Sequence, residues 1–115
     1  MPPRSNPPPT VFGRRLRQAR ERHQLPQDVL GVLAGLEESS SSARISRYES
    51  GIHEPSHRFA SSLAEVLRIP TAFLYCDDDG LAEIILGYSQ LSEAGRHALL
   101  ASTRDLLSIE TGDST

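Results

Sequence analysis

The stretch SSSSARISRYESG, residues 39–51, begins with the composition of a linker and ends with the pattern of a helix. Four consecutive serines are a low-complexity signal. Ile45, Tyr48 and Glu49 nevertheless share one helical face, with Ser40, Ala43, Arg44 and Arg47 on the other, and Gly51 falls where a helix would stop. The reading that satisfies both halves divides the run. Glu37 to Ser39 prolong a turn, Ser40 to Ser42 open a helix, and a Glu or Ser side chain at 38–42 caps it.

The flanking sequence continues in short helices. Upstream, Phe12, Leu16, Ala19 and His23 recur at spacings of four, three and four, one face of a helix that Thr10 is placed to cap. Leu25-Pro26 ends it, and Pro26 is suited to opening a second helix with Val29, Leu30 and Leu33 apolar and Gly35 at its end. At about two and a half turns, that helix needs its neighbours to be stable. Beyond Gly51, IHEPS leads into a fourth helix with Phe59, Leu63, Val66 and Leu67 on its apolar side, stopped by Pro70. TAFLYC gives a short turn, DDDG an acidic break, and two helical segments follow, Leu81 to Tyr88 and Glu93 to Ile109, the latter opened by Ser92. The predicted fold class is all-α. A five-helix domain spans residues 11–76, a Pro-rich arm at 1–10 is expected to be disordered, and a C-terminal helical segment covers 81–110.

With 115 residues the chain has room for one domain and an added helical element. The apolar fraction of 37% is low, so part of the apolar surface is expected in a subunit contact. No apolar run approaches the length of a bilayer span, and MPPRSNPPPT lacks the apolar segment of a signal peptide. A single cysteine, Cys76, leaves no intramolecular disulfide. These features point to a cytoplasmic protein. The net charge of −3 conceals a split: residues 1–60 hold nine Arg against six acids, while residues 61–115 hold three Arg against nine. A basic front and an acidic back suit a DNA-facing half and a partner-facing half.

Five short helices in succession, the third polar on its outer face, is the plan of a helix-turn-helix domain. The segments FGRRLRQARERHQLPQDVLGVLAGL, ARISRYESGIHEPS and LAEVLRIPTAFLY resemble the phage-repressor (Cro/cI, xenobiotic-response-element) family of DNA-binding domains over residues 11–75. The specific parts are LPQD entering the second helix and ISRYESG closing the third. One departure stands out: about four residues more than the family's tight turn lie between Leu36 and Ala43, and the serine run sits in that insertion.

A helix of this kind enters the major groove, and the residues at its N-terminal end reach the base edges. Small hydroxyl side chains there let the backbone come close and bond to bases or phosphates. Ser40, Ser41, Ser42, Ala43, Arg44 and Arg47 are therefore the candidate contacts. An arginine can grip guanine O6 and N7 with two hydrogen bonds, so Arg44 and Arg47 are the candidates for base reading. The resemblance implies a phosphate contact from Gln27, at the start of the second helix, and Arg58 is a weaker phosphate candidate. It also implies that Arg20 pairs with Glu49, whose inward position would be costly for a lone carboxylate.

Catalysis and cofactors are not expected. His53 and His57 flank Pro55, DDDG lacks the alternating ligands of a calcium loop, and Cys76 beside three aspartates is the opposite of an activated thiol. In the C-terminal segment Leu99, Leu100, Thr103, Leu106 and Leu107 fall on one face, joined by Leu81, Ile84, Ile85 and Tyr88. That stripe is the expected homodimer interface. The function these features imply is a sequence-specific, dimeric transcriptional repressor on a palindromic operator. The alternatives are an antitoxin whose acidic half covers a toxin, and an assembly module that has lost DNA binding.

Overall fold

The computed structural model describes residues 10–112, and among them there are six α-helices, one 3₁₀ turn and no strand. The helices are α1 (Val11–Arg22), α2 (Gln27–Leu33), α3 (Glu38–Ser50), α4 (His57–Leu67), α5 (Asp79–Gln90) and α6 (Glu93–Thr111), with the 3₁₀ turn at Thr71–Tyr75. The fifth helix expected in the domain is thus a 3₁₀ turn. The arm expected at residues 1–10 lies outside the described residues except for Thr10.

Capping follows the side-chain chemistry at most helix starts. The hydroxyls of Thr10, Ser56 and Ser92 accept from the backbone amides of Gly13, Phe59 and Gly95, and the Asp78 carboxylate accepts from the Leu81 amide. The helix containing the serine run begins differently. Glu37 occupies the cap position without a side-chain hydrogen bond, and all four serines lie inside α3. The expected serine cap and the prolonged turn are both corrected: the inserted residues become an additional turn at the N-terminal end of the helix.

Two contacts explain why the helix wins over the loop. The Ser41 hydroxyl is fully buried and donates to the Asp28 carbonyl of α2 at 2.7 Å, which fixes the helical phase of the run. Gly31 of α2 leaves the space this needs, since a β-carbon there would collide with the Ser41 hydroxyl and press on Ile45 and Leu36. Glu37 and Glu38 also place negative charge at the positive end of the helix. At the other end Gly51, with φ of +83°, ends α3 in the left-handed conformation that glycine adopts without strain.

The core is one cluster. Phe12, Leu16 and Ala19 of α1 meet Leu30, Ile45, Leu63, Leu67, Phe73 and Leu74, with Ala82 and Leu86 of α5 at its edge. Helix α6 contributes nothing: none of its 19 residues is buried. It leaves the body of the molecule, whose extents are 59 × 34 × 24 Å and whose radius of gyration is 17.4 Å. An evenly compact chain of this length would measure about 13 Å. The corner between α5 and α6 is held by Arg96, whose guanidinium donates to the Tyr88 and Ser89 carbonyls at 2.9 and 3.0 Å and lies 4.9 Å from the Tyr88 ring centre.

Candidate nucleic-acid interface

Helix α3 presents two unlike faces. Ser41, Ile45, Tyr48 and Glu49 are buried, while Ser39, Ser42, Ala43, Arg44, Ser46 and Arg47 are exposed. At 100° per residue the outward centre is Ala43, flanked by Ser39, Ser46 and Arg47. This surface is small, rich in hydroxyls and carries one central cation, a shape that allows the backbone to approach a groove floor closely.

Three side chains hold α3 against α1 and α2 at Glu49, which is 1% exposed. Arg20 reaches it in a two-pronged pair, Nε to Oε2 at 2.6 Å and Nη2 to Oε1 at 3.1 Å. Arg17 Nε lies 3.6 Å from Oε1, and the Gln27 side-chain amide donates to the same oxygen at 3.1 Å. Arg20 also donates to the Leu25 carbonyl at 2.9 Å, which fixes the turn entering α2. The hydrogen bond to Glu49 raises the Arg20 pKa above its ordinary value, against the opposing effect of burial. A charge buried in this way is neutralised on several sides, as it must be.

Chain geometry and known proteins agree on what this arrangement is. A family model described as a helix-turn-helix domain matches residues 11–72. The chain belongs to the helix-turn-helix domain family. A solved structure described as the transcriptional regulator BswR is 42% identical, superposes with a TM-score of 0.80, and covers 84% of this chain and 96% of its own. That match is longer than the domain itself, so it runs on into the C-terminal helices. No curated protein matches the chain.

Within the helix-turn-helix, the candidate contacts divide. Arg47 is exposed, and among the described residues its guanidinium makes no hydrogen bond or ion pair. Arg44 is exposed but donates to the Tyr48 hydroxyl at 2.9 Å, with its guanidinium 6.0 Å from that ring centre. Ser42 and Ala43 are exposed and Ser40 is half-buried, its hydroxyl directed to the Glu37 carbonyl at 3.5 Å. Ser41 is the correction: with its side chain buried and bonded to Asp28, it joins α2 to α3 and offers nothing to DNA. Gln27 stands at the first position of α2 and is half-buried on Glu49, and Arg58 is exposed on the first turn of α4.

Ser39 and Ser46 on the outward face are not among the expected contacts, because Ser39 is assigned to the turn and Ser46 is placed on neither face. Nor is Arg17 expected as a further partner of Glu49. The acidic break DDDG is an anchored junction: Arg14 contacts Asp79 Oδ1 at 3.2 Å and the Asp77 carbonyl at 3.3 Å, across the start of α5. Of the apolar residues expected on the dimer surface, Ile85 packs partly against the core. Leu81, Ile84 and Tyr88 of α5 and Leu100, Leu106 and Leu107 of α6 are exposed, Leu91 and Ile109 add to them, and Leu99 is half-buried. Thr103 is exposed, its hydroxyl donating to the Leu99 carbonyl at 2.9 Å.

Proposed function

We propose that the protein is a sequence-specific DNA-binding transcriptional regulator that acts as a homodimeric repressor, with α3 in the major groove of each half of a palindromic operator. The observation that carries this reading is the outward face of α3, where Ser39, Ala43, Ser46 and Arg47 stand free on a helix locked to α1 and α2 by Glu49. The helix-turn-helix family, the similarity to a transcriptional regulator and the phage-repressor motifs support it. The C-terminal helices support the dimer. An open groove of about 310 Å³ runs between α5 and α6, lined by Ile84, Tyr88, Leu91 and Leu99, and Leu106 and Leu107 beyond it are about 60% exposed. An apolar surface of this extent normally has a partner, and two-fold packing of identical copies covers both faces at once. Selection of bound sequences from a random DNA pool tests the proposal. A palindromic consensus supports it, and recovery of no preferred sequence would overturn it.

The free state of Arg47 separates it from its neighbours. Arg47→Ala is expected to cost about 1–3 kcal/mol of binding at particular base pairs, as for a guanidinium bound to guanine. Arg44→Ala should cost less, because its guanidinium already rests on Tyr48. Gln27→Ala should weaken binding evenly on every sequence, as loss of a phosphate contact does, and an unchanged melting temperature separates that from the loss of its bond to Glu49. Affinities on the selected site and all its single-base variants distinguish the three. A uniform loss for Arg47→Ala would make it a phosphate contact, and no loss would remove α3 from the groove.

A further inference from the structure

We propose that Arg15 and Asp79 are positioning residues that fix the angle between the DNA-reading domain and the α5–α6 arm, and so set the half-site spacing that the dimer accepts. The proposal rests on the dimer reading given above.

Arg15 lies on α1 with only 3% of its side chain exposed. Its Nε donates to the Cys76 carbonyl at 2.7 Å, Nη1 to Gln18 Oε1 at 2.9 Å, and Nη2 to the Asp77 carbonyl at 3.2 Å and to Asp79 Oδ1 at 2.9 Å. The guanidinium also lies 5.4 Å from the centre of the Phe73 ring. Arg14 adds contacts to Asp79 and Asp77 from the adjoining position. Every one of these acceptors except Gln18 belongs to the junction where the chain leaves the domain and begins α5. The two arginines hold the Asp79 carboxyl below the usual carboxylate range, so the pair stays charged at neutral pH.

A buried guanidinium is a poor choice if the only need is stability, since well-packed apolar residues serve as well or better. Its advantage is direction: a planar fork of fixed donors admits one arrangement of its acceptors. The junction needs such a device. Only Ala82 and Leu86 of α5 are buried in the core, and no residue of α6 is. Helix α1 therefore acts as a strut with two guanidinium joints. Arg17 and Arg20 key it to α3 through Glu49, and Arg14 and Arg15 key it to α5 through Asp77 and Asp79. The position of each reading helix is tied in this way to the arm on which the two copies meet.

Spacing is where the effect shows. Each base pair inserted between half-sites moves the second by about 3.4 Å and turns it by about 35°, from the geometry of one helical turn. A rigid joint cannot follow that displacement, while a loosened one can. The test uses the full chain and the selected operator with one to three base pairs added or removed at its centre. Wild type should fall toward the affinity of a single half-site, a loss of about 10²-fold. Asp79→Ala removes both ion pairs and leaves the buried Arg15 guanidinium its Cys76 and Asp77 carbonyl acceptors, so the domain should stay folded at a lowered melting temperature. Its loss on altered spacing should shrink to less than about tenfold, because a flexible joint restores simultaneous engagement. Asp79→Glu should recover the wild-type profile, and Arg15→Gln, checked by melting for folding, should resemble Asp79→Ala. A dimeric wild type whose spacing profile is unchanged in Asp79→Ala would overturn this proposal alone. A wild type that scatters light as a monomer and shows no spacing preference would overturn the dimer reading and this proposal together.

Discussion

Replacing Arg20 by alanine is expected to lower the stability of the domain by about 3 kcal/mol, from the cost of leaving one member of a buried ion pair alone. Glu49 is 1% exposed and its shortest contact is to Arg20 Nε, at 2.6 Å. Without that guanidinium the carboxylate keeps only Arg17 at 3.6 Å and the Gln27 amide at 3.1 Å. Those two partners place the loss at the lower end of the range for buried pairs. It is still large beside the roughly 5–15 kcal/mol by which domains are stable. The double change Arg20→Met with Glu49→Leu should recover part of it, because no charge is then left in the interior. Urea denaturation of the three proteins makes the comparison. Identical midpoints for wild type and Arg20→Ala would show that the pair contributes nothing.

A chain ended after Tyr88 should fold, become monomeric and bind the operator about 10²-fold or more weakly, the loss expected when linked half-site contacts become independent. The folding expectation follows from burial. The cut removes all of α6, none of which is buried, and leaves Ala82 and Leu86 in the core. The monomer expectation follows from the removal of Leu100, Leu106, Leu107 and Ile109, each exposed in the single chain. A milder variant, Leu106→Asp with Leu107→Asp, keeps the chain length and puts two charges on the same face. Light scattering and operator binding should move together in both. A truncated chain that still scatters as a dimer would move the interface into the first 88 residues.

The all-helical plan was legible because it rests on local signals. Thr10, Ser56 and Ser92 are caps by chemistry, Pro26 and Gly51 mark ends by backbone restriction, and Phe12, Leu16, Ala19 and Leu63 declare their faces by spacing. The serine run was legible only in part. Its composition speaks for a loop, and what makes it helical is a contact across the turn, Ser41 to Asp28, made possible by the missing side chain at Gly31. No periodicity records that contact. The Arg15 joint was hidden for the same reason. Its acceptors at the junction lie more than sixty residues away, two of them are backbone carbonyls, and backbone acceptors leave no trace in residue identity. The ion pair of Arg20 and Glu49 was read from the family resemblance, whereas Arg17, one helical turn earlier, had no such guide.

The internal engagement of arginine has a consequence for how the protein would respond to ionic strength. Residues 1–60 hold nine arginines, but Arg14, Arg15, Arg17 and Arg20 face acids of the same chain. Arg4 lies outside the described residues, Arg22 is exposed at the end of α1, and Arg44, Arg47 and Arg58 are exposed on α3 and α4, the side that carries the reading helix. Each phosphate neutralised releases counterions and steepens the salt dependence by a logarithmic slope of about 0.9. If all three met phosphates in each copy of a dimer, the slope would be about −5, and base reading by Arg47 would reduce it to about −4. A potassium chloride titration of operator affinity measures it directly, and a slope near −10 would mean that many more cations reach the backbone. A shallow slope also implies weak attraction to arbitrary DNA. The overall charge of −3 acts in the same direction, so the unbound protein would be held little by the rest of the chromosome.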